Sequence, residues 1–292
     1  MKRPIKTVGL VGKYQHEPVA THILQLGRFL IERDLKLIVD THTAKMLREP
    51  LGPAQPLAEI GRHIDLAIVI GGDGTMLHVA RSLAEHSVPI IGVNQGRLGS
   101  LTDIDVEHME QELGRILDGD YQSERRLLLH AEIMRKGRIV HAAHAFNDVI
   151  INKGELARLI EFETYIGGEF VHSVRGDGVI VASPTGSTAY ALSAGGPVLH
   201  PTLPAIGVVP ICPHTLSTRP IVVSSDSTIE IVMIGLAGSH AHVTFDGQLN
   251  YVLEDNDRIY VRRAEKPIEL WHPSGRGHFD VLRAKLHWGT KY

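Results

Sequence analysis

Apolar and polar residues follow two different periods along the chain. The run DLAIVI at residues 65–70 has the length of a buried strand, and Met76, Val79, Ala80 and Leu83 then recur at helical spacing. Three further apolar runs of strand length cover residues 6–12, 35–40 and 88–94. Two more amphipathic helices are predicted from the apolar faces Val19, Ile23, Leu26, Leu30 and Met109, Leu113, Ile116, Leu117. This alternation predicts an α/β domain whose parallel, Rossmann-like sheet is covered on both faces and binds ligands at the carboxyl ends of its strands.

After about Tyr121 the pattern changes to the alternation typical of half-buried strands. Hairpin turns are predicted at residues 136–137, 167–168 and 246–247, where glycine occupies the tight turn. We therefore predict an α/β domain over residues 1–120 and a β-rich domain over 121–270. The C-terminal tail, about 271–292, is a candidate to pack back on the first domain, and a short helix is predicted over 278–288.

The composition of the chain argues against nucleic acid and membrane partners and favours the cytoplasm. The 292 residues carry a formal net charge of −3, which leaves no basic excess for binding nucleic acid. No run of about 18 apolar residues is present, so no membrane span is expected. The single cysteine, Cys212, excludes an intrachain disulfide and favours a cytoplasmic location. The 18 histidines include no HExxH and no Cys/His pairing of zinc type, so scattered histidines are favoured over a dedicated metal site.

The sequence GGDGT follows the strand at 65–70 and precedes a helix. Backbone N–H groups at a helix start attract phosphate, and glycine lets the main chain approach it closely, so a phosphate loop is predicted at Gly71, Gly72, Gly74 and Thr75. A carboxylate beside phosphates suits a metal ligand or a proton acceptor, as phosphoryl transfer requires. A tight turn in which Asp73 caps the helix is the alternative.

A second segment, GDGVIVASPTGSTAYALSAGGP at residues 176–197, combines hydroxyl groups, glycines and one aromatic residue. A surface loop rich in Ser and Thr would account for the hydroxyls alone. A binding wall accounts for the whole set, because hydroxyls and exposed N–H groups suit ribose and phosphate oxygens. Tyr190 could then pack against a nucleobase.

The motifs GGDGTML and SPTGSTAYALSAGGP together resemble the bacterial NAD kinase family. NQGRLGSLTDID, FNDVIINKG, RGDGVIVASPTG and FDGQL agree in the same order, so the resemblance extends from the first strand almost to the C-terminus. GGDG is shared with lipid kinases and phosphofructokinases, whereas PTGSTAY is specific to NAD kinases.

The resemblance implies an NAD kinase-like two-domain fold with the active site between the domains. It implies transfer of the γ-phosphoryl of ATP to the 2′-hydroxyl of the adenosine ribose of NAD, which yields NADP. It also implies a divalent cation, Mg²⁺, with ligands that remain unknown, and a homodimer or homotetramer. The sequence does not distinguish ATP from polyphosphate as the donor.

The resemblance also assigns site residues. Asp73 would be the catalytic residue that accepts or orients the hydroxyl proton, with metal coordination as its competing role. His78 lies one helical turn further on, facing either phosphate or solvent. The residues expected to bind NAD are Asp73, Gly74, His78, Asn147, Asp148, Arg158, Arg175, Asp177, Thr188, Ala189, Tyr190, Ala191, Leu192, Ser193 and Gln248.

One position departs from the family, since Ser100 stands where many members carry an aromatic residue. The chain therefore lacks any contact that such a ring makes near the adenine. Two other functions compete with NAD phosphorylation. A lipid or sugar kinase would account for GGDG but not for the PTGSTAY segment. A non-catalytic NAD(P)-binding regulator would not require the carboxylate of Asp73.

Overall fold

A computed structural model describes residues 4–13, 17–96, 99–154, 159–215, 217–236, 240–275 and 277–288. The chain forms two compact units. The first unit comprises residues 1–125 and 268–292, and the second unit comprises residues 126–267. Arg158, one of the expected site residues, lies outside the described residues.

The first unit is built on a sheet of eight strands with helices between them. Its strands are β1 Thr7–Gly12, β2 Lys36–Asp40, β3 Ala54–Gln55, β4 Leu66–Gly71, β5 Ile90–Asn94, β6 Ile104–Asp105, β7 Tyr121–Arg126 and β20 Ile268–Pro273. Its helices are α1 Glu17–Ile31, α2 Thr41–Ala44, α3 Leu57–Ile60, α4 Asp73–Ser82, α5 Met109–Leu117 and α7 His278–Leu286, and a 3₁₀ turn covers Val106–His108.

The strand order is β3-β2-β1-β4-β5-β20-β7, and β6 also pairs with β5. Strands β1 to β6 pair in parallel, and β20 joins β5 in parallel. Every residue of β4 is buried, which explains its uninterrupted apolar sequence. The apolar faces predicted for α1 and α5 are confirmed, and they pack with β1 and β4 in one core. No helix among the described residues is long and apolar enough to cross a membrane.

The second unit contains two antiparallel sheets. Its strands are β8 Leu129–Arg135, β9 Arg138–Ala145, β10 Asp148–Lys153, β11 Ile160–Ile166, β12 Glu169–Gly176, β13 Gly178–Ala182, β14 Ala205–Ile211, β15 Ile221–Ser224, β16 Ile229–Ile234, β17 Ala241–Phe245, β18 Leu249–Leu253 and β19 Arg258–Arg263. The sheet orders are β15-β14-β13-β10-β17-β18 and β12-β11-β16-β19-β8-β9. A 3₁₀ turn, Gly186–Thr188, and the short helix α6, Tyr190–Ser193, follow β13.

One hydrophobic core joins the two sheets of the second unit. Val149, Val181 and Phe245 come from one sheet, and Phe162 and Ile231 come from the other. The three predicted hairpin turns are confirmed between β8 and β9, β11 and β12, and β17 and β18. The fold class predicted from the sequence, an α/β N-terminal part with a parallel sheet and a β-rich C-terminal part, is therefore confirmed.

Candidate active site

The glycine loop lies at the carboxyl end of β4, in the middle of the parallel sheet. Gly72 is the N-cap of α4, with φ −113° and ψ −174°, and Asp73 is the first helical residue. The alternative in which the Asp73 side chain caps the helix is wrong, because no side chain bonds to the helix start there. The strand therefore directs the first N–H groups of α4 towards this edge of the sheet, where parallel sheets bind ligands.

The Asp73 carboxylate accepts two main-chain hydrogen bonds from a neighbouring loop. Ser100 N–H donates to Oδ2 and Leu101 N–H donates to Oδ1, each at 3.0 Å. A Cβ on Gly99 would overlap Oδ1 of Asp73, so only glycine allows this approach. Charge-assisted bonds to two N–H groups fix the orientation of the carboxylate without neutralising it.

The loop that holds Asp73 is also bonded to the C-terminal helix. Lys285, in α7, donates from Nζ to the Ser100 hydroxyl at 2.6 Å. Ser100 therefore makes two contacts that its substitution for an aromatic residue does not predict. Its amide donates to the Asp73 carboxylate, and its hydroxyl accepts from the Lys285 ammonium group. Sequence reasoning missed Lys285, which lies 185 positions from Ser100.

His78 lies on α4, neither fully exposed nor fully buried. Burial lowers its pKa, Arg81 and His42 lower it further, and the carboxylate of Asp40 opposes them. His78 is therefore neutral at neutral pH, and towards a phosphate it would act as a hydrogen-bonding group rather than as a charge.

In the second unit, Asn147 and Asp148 lie at the start of β10 and contact the segment that follows β13. Ser183 N–H donates to the Asn147 carbonyl at 2.8 Å, and Ser183 Oγ donates to the Phe146 carbonyl at 2.6 Å. A Cβ on Gly186 would overlap the Asn147 carbonyl oxygen. The glycine of the PTGSTAY motif is thus required by close packing against the main chain of Asn147.

The 3₁₀ turn and helix α6 come directly after this contact in the chain. Within the predicted binding wall, Ala191 is buried and Tyr190 is 46% exposed, so the ring is accessible for stacking on a ligand. Thr188 Oγ1 donates to the Thr185 carbonyl at 3.3 Å, and the Thr185 hydroxyl accepts a bond from Arg126 at 3.3 Å. These bonds order the segment between Ser183 and Ser193.

Asp177 precedes β13 and lies at the other end of the β10–β13 pair, whereas Arg175 lies on β12 in the other sheet of this unit. Asn152 pairs with Gly178 there, whereas Asp148 pairs with Ala182, so Asp177 and Asn147 lie about 20 Å apart along the strands. Asp177 forms an ion pair with Lys153 at 2.6 Å, and Arg175 lies 3.8 Å from Glu161. Within this unit the structure therefore divides the predicted NAD-binding residues into two groups.

Gln248 belongs to the group that contains Asn147 and Asp148. It lies in the exposed turn between β17 and β18, beside Asp246. Asp246 accepts hydrogen bonds from the N–H groups of Phe146, Asn147 and Asp148. The sequence predicts a turn at residues 246–247 and a nucleotide contact for Gln248, but it does not reveal the hydrogen bonds of Asp246 to residues 146–148.

Asp148 is a buried carboxyl group, 3% exposed. Burial raises its pKa to about 7, and the nearby charge of Asp246 contributes in the same direction. Proton release from Asp148 near neutral pH would therefore change the charge of this site.

We expect this ionisation to destabilise the folded chain as the pH rises. The folded pKa of about 7 lies above the unfolded value of 3.8, so between these values the folded state retains a proton that the unfolded state releases. Unfolding free energy measured in urea for Asp148→Asn, relative to wild type, should rise by about 3 kcal/mol between about pH 5 and pH 8. A difference that does not depend on pH would contradict this.

A glycine-rich loop between a buried parallel strand and a helix, with an oriented carboxylate at the helix start, defines an α/β protein that binds nucleotide phosphates. Residues 8–121 match the ATP-NAD kinase N-terminal domain, and residues 146–272 match the ATP-NAD kinase C-terminal domain. The chain therefore belongs to the ATP-NAD kinase family.

Relatives of similar length support the same assignment. The chain is 49% identical to the NAD kinase of Thiobacillus denitrificans over 291 residues, which cover 100% of both chains. It is 47% identical to the NAD kinase of Nitrosospira multiformis over 99% of this chain and 97% of the relative. Its enzymatic activity is accordingly NAD kinase activity.

Two solved structures share the fold. Yeast NADH kinase complexed with NADH matches with a TM-score of 0.89 at 26% identity, covering 100% of this chain and 90% of that chain. The NAD kinase from Archaeoglobus fulgidus in complex with ATP matches with a TM-score of 0.76 at 27% identity, covering 96% of this chain and 98% of that chain.

Proposed function

We propose that the chain transfers the γ-phosphoryl group of ATP to the 2′-hydroxyl of the adenosine ribose of NAD and so produces NADP. The observation that carries this proposal is the Asp73 carboxylate, oriented by the N–H groups of Ser100 and Leu101 at the start of α4. The NADH bound to the yeast enzyme and the ATP bound to the archaeal enzyme support the choice of substrates.

Asp73 orients the 2′-hydroxyl and accepts its proton. The ribose oxygen forms a bond to the γ-phosphorus while the bond from that phosphorus to the β-phosphate oxygen breaks, and ADP leaves. Because the transition state of phosphoryl transfer is loose, the hydroxyl keeps its proton until late in the reaction. Orientation by a fixed hydrogen bond therefore contributes more than base strength, and the two main-chain bonds to Asp73 provide that orientation.

We propose that Gly71, Gly72, Gly74 and Thr75 contact the phosphates. The N–H groups at the first turn of α4 supply partial positive charge without a lysine. His78 follows on the same helix as a neutral donor. Asn147, Asp148, Gln248 and residues 188–193 would bind NAD, with Tyr190 against a base.

Mg²⁺ is the proposed cofactor. Across the described ranges, no three histidine, cysteine, aspartate or glutamate side chains are arranged to hold a metal. This fits Mg²⁺, which is commonly held by one or two carboxylates together with nucleotide phosphates and water. Asp73 is the candidate protein ligand, and the ion would neutralise charge on the β- and γ-phosphate oxygens.

We further propose a cytoplasmic homodimer or homotetramer. Large apolar side chains are exposed on strands at the ends of the two sheets of the second unit: Ile139 (56%) on β9, Phe170 (57%) on β12 and Val252 (51%) on β18. Exposed apolar residues at unpaired sheet edges favour association between copies. Sedimentation equilibrium should give two or four chains per particle, and a monomer at micromolar concentration would reject this.

A coupled assay for NADP tests the reaction directly. Purified chain is supplied with NAD, Mg²⁺ and either ATP or polyphosphate, and parallel reactions offer diacylglycerol or fructose 6-phosphate as the acceptor. NADP formation with ATP and no turnover of the other acceptors is expected. Binding of NAD without turnover would instead identify a non-catalytic NAD(P)-binding protein.

Gly72→Ala is expected to separate phosphate binding from stability. An added Cβ meets no atom within 4 Å and φ is negative, so unfolding free energy should change by less than about 1 kcal/mol. The methyl group would nevertheless enter the open space in front of the loop, and KM for ATP should rise by about 10-fold or more, the equivalent of roughly 1.4 kcal/mol.

Gly114→Ala, within α5, is the control, because its Cβ meets the flexible end of the Arg33 side chain at 3.3 Å and the Phe29 ring at an ordinary contact distance of 3.7 Å. Steady-state kinetics and urea unfolding of the two variants check the prediction. An unchanged KM for ATP in Gly72→Ala would show that the loop does not contact the phosphates of ATP.

A further inference from the structure

Asp246 is bonded to the main chain of three consecutive residues that lie about 100 positions away. Its Oδ2 accepts from Phe146 N–H at 3.0 Å, and its Oδ1 accepts from Asn147 N–H at 2.7 Å and from Asp148 N–H at 3.2 Å. In return, Asp246 N–H donates to the Asp148 carbonyl at 3.0 Å. Asp246 itself has φ 53°, in the left-handed region, where aspartate is tolerated in tight turns.

The same segment is held through its carbonyl groups by Ser183. Ser183 Oγ donates to the Phe146 carbonyl and Ser183 N–H donates to the Asn147 carbonyl. Asp246 therefore binds the N–H groups and Ser183 binds the carbonyls. Hydrogen bonds to a charged acceptor are stronger than neutral ones, so Asp246 supplies the stronger half of this clamp.

We infer that Asp246 is a positioning residue, which fixes the main chain of Asn147 and Asp148 and thereby sets the geometry in which they contact the dinucleotide. This inference rests on the proposed function, in which Asn147 and Asp148 bind NAD.

Asp246 also influences the charge of the residue that it positions. Its carboxylate contributes to the raised pKa of Asp148, after burial. The residues paired with the start of β10 on either side are apolar: Ala182 lies opposite Asp148 on β13, and Phe245 lies opposite Val149 on β17. In its ionised form Asp148 accepts a hydrogen bond from a ribose hydroxyl, so KM for NAD should rise as the pH falls through about 7.

Asp246→Asn tests both the positioning of the main chain and the effect of the Asp246 charge on Asp148, because the side chain keeps nearly the same size. The amide would face one of the three N–H donors with an NH₂ group, and the charge would be lost. We expect KM for NAD and the dissociation constant of NAD alone to rise by about 10-fold, while kcat and KM for ATP change by less than about twofold. The pH at which KM for NAD changes should move to a lower value, because the charge that raises the pKa of Asp148 is gone.

Asp255→Asn is the matched control. Asp255 is likewise a turn carboxylate of the second unit, although more exposed than Asp246; it accepts the Leu236 N–H at 2.9 Å and has no recorded bond to residues 146–148. It should leave both KM values and the pH profile unchanged. Asp246→Glu keeps the charge and should keep the pH at which KM changes, even where its longer side chain weakens binding.

Two results would overturn the inference: an unchanged KM for NAD in Asp246→Asn, or a higher KM with no movement of the pH profile. If Asp246→Asn does not fold, Asp246→Ser, whose hydroxyl still accepts one N–H, carries the same test. Failure of the wild-type chain to form NADP would instead reject the proposed function, so the two failures are distinguishable.

Discussion

Asp73→Ala is expected to lower kcat by about 10²–10⁴-fold, the range for loss of a group that orients or accepts the transferred proton. The carboxylate is held by the N–H groups of Ser100 and Leu101, so its loss removes a positioned group rather than a mobile side chain. KM for NAD should change much less than kcat, because the interaction acts on the reacting hydroxyl.

Asp65→Ala provides the matched control for this variant. Asp65 also accepts two main-chain bonds, from the N–H groups of Lys6 and Thr7 at 3.0 Å each, but it precedes β4 instead of following it. Its loss should reduce stability and leave kcat per folded molecule unchanged. Equal rates of NADP formation in wild type and Asp73→Ala would disprove the role of Asp73.

The residual rate of Asp73→Ala also distinguishes the two roles of this carboxylate. If Asp73 chiefly orients the hydroxyl, the dependence of the residual rate on Mg²⁺ concentration should match that of the wild type. If it chiefly binds Mg²⁺, saturation should require a higher Mg²⁺ concentration.

Gly186→Ala should lower the stability of the second unit more than the other substitutions proposed there. The added Cβ would overlap the Asn147 carbonyl oxygen and lie 2.5 Å from its carbon, and both are main-chain atoms in a buried contact. Overpacking of this kind costs about 1–3 kcal/mol, and more where the backbone cannot shift. We expect a loss of at least that size in unfolding free energy, with KM for NAD raised because Asn147 is displaced.

Gly207→Ala serves as its control, since the nearest atom to the added Cβ lies 3.9 Å away in the same sheet. Urea unfolding of both variants and titration with NAD check the prediction. A Gly186→Ala variant as stable as Gly207→Ala, with an unchanged affinity for NAD, would show that this contact is dispensable.

Sequence patterns predicted the elements and the glycine loop because their causes are local. A strand buried on both faces must be apolar throughout, so residues 65–70 could be recognised without knowledge of their neighbours. The hairpin at Gly167 and Gly168, with φ 60° and 85°, follows from the backbone conformations that glycine tolerates.

The contacts that orient the site could not be predicted in this way, because they join distant parts of the chain. Asp73 and Ser100 are 27 positions apart, and Asp246 and Phe146 are 100 positions apart. A single sequence contains no periodicity that pairs such residues. For the same reason, nothing in the alternation of residues 121–126 or 268–273 reveals that both strands belong to the first sheet rather than to the β-rich unit.

That membership has a consequence for biosynthesis. β20 lies between β5 and β7 in the sheet, yet it is encoded after the whole of the second unit. While the ribosome is still translating residues 126–267, the nascent sheet exposes a strand edge at β5 that its final partner cannot yet cover. The sheet that carries the glycine loop is therefore completed only after the second unit has been synthesised.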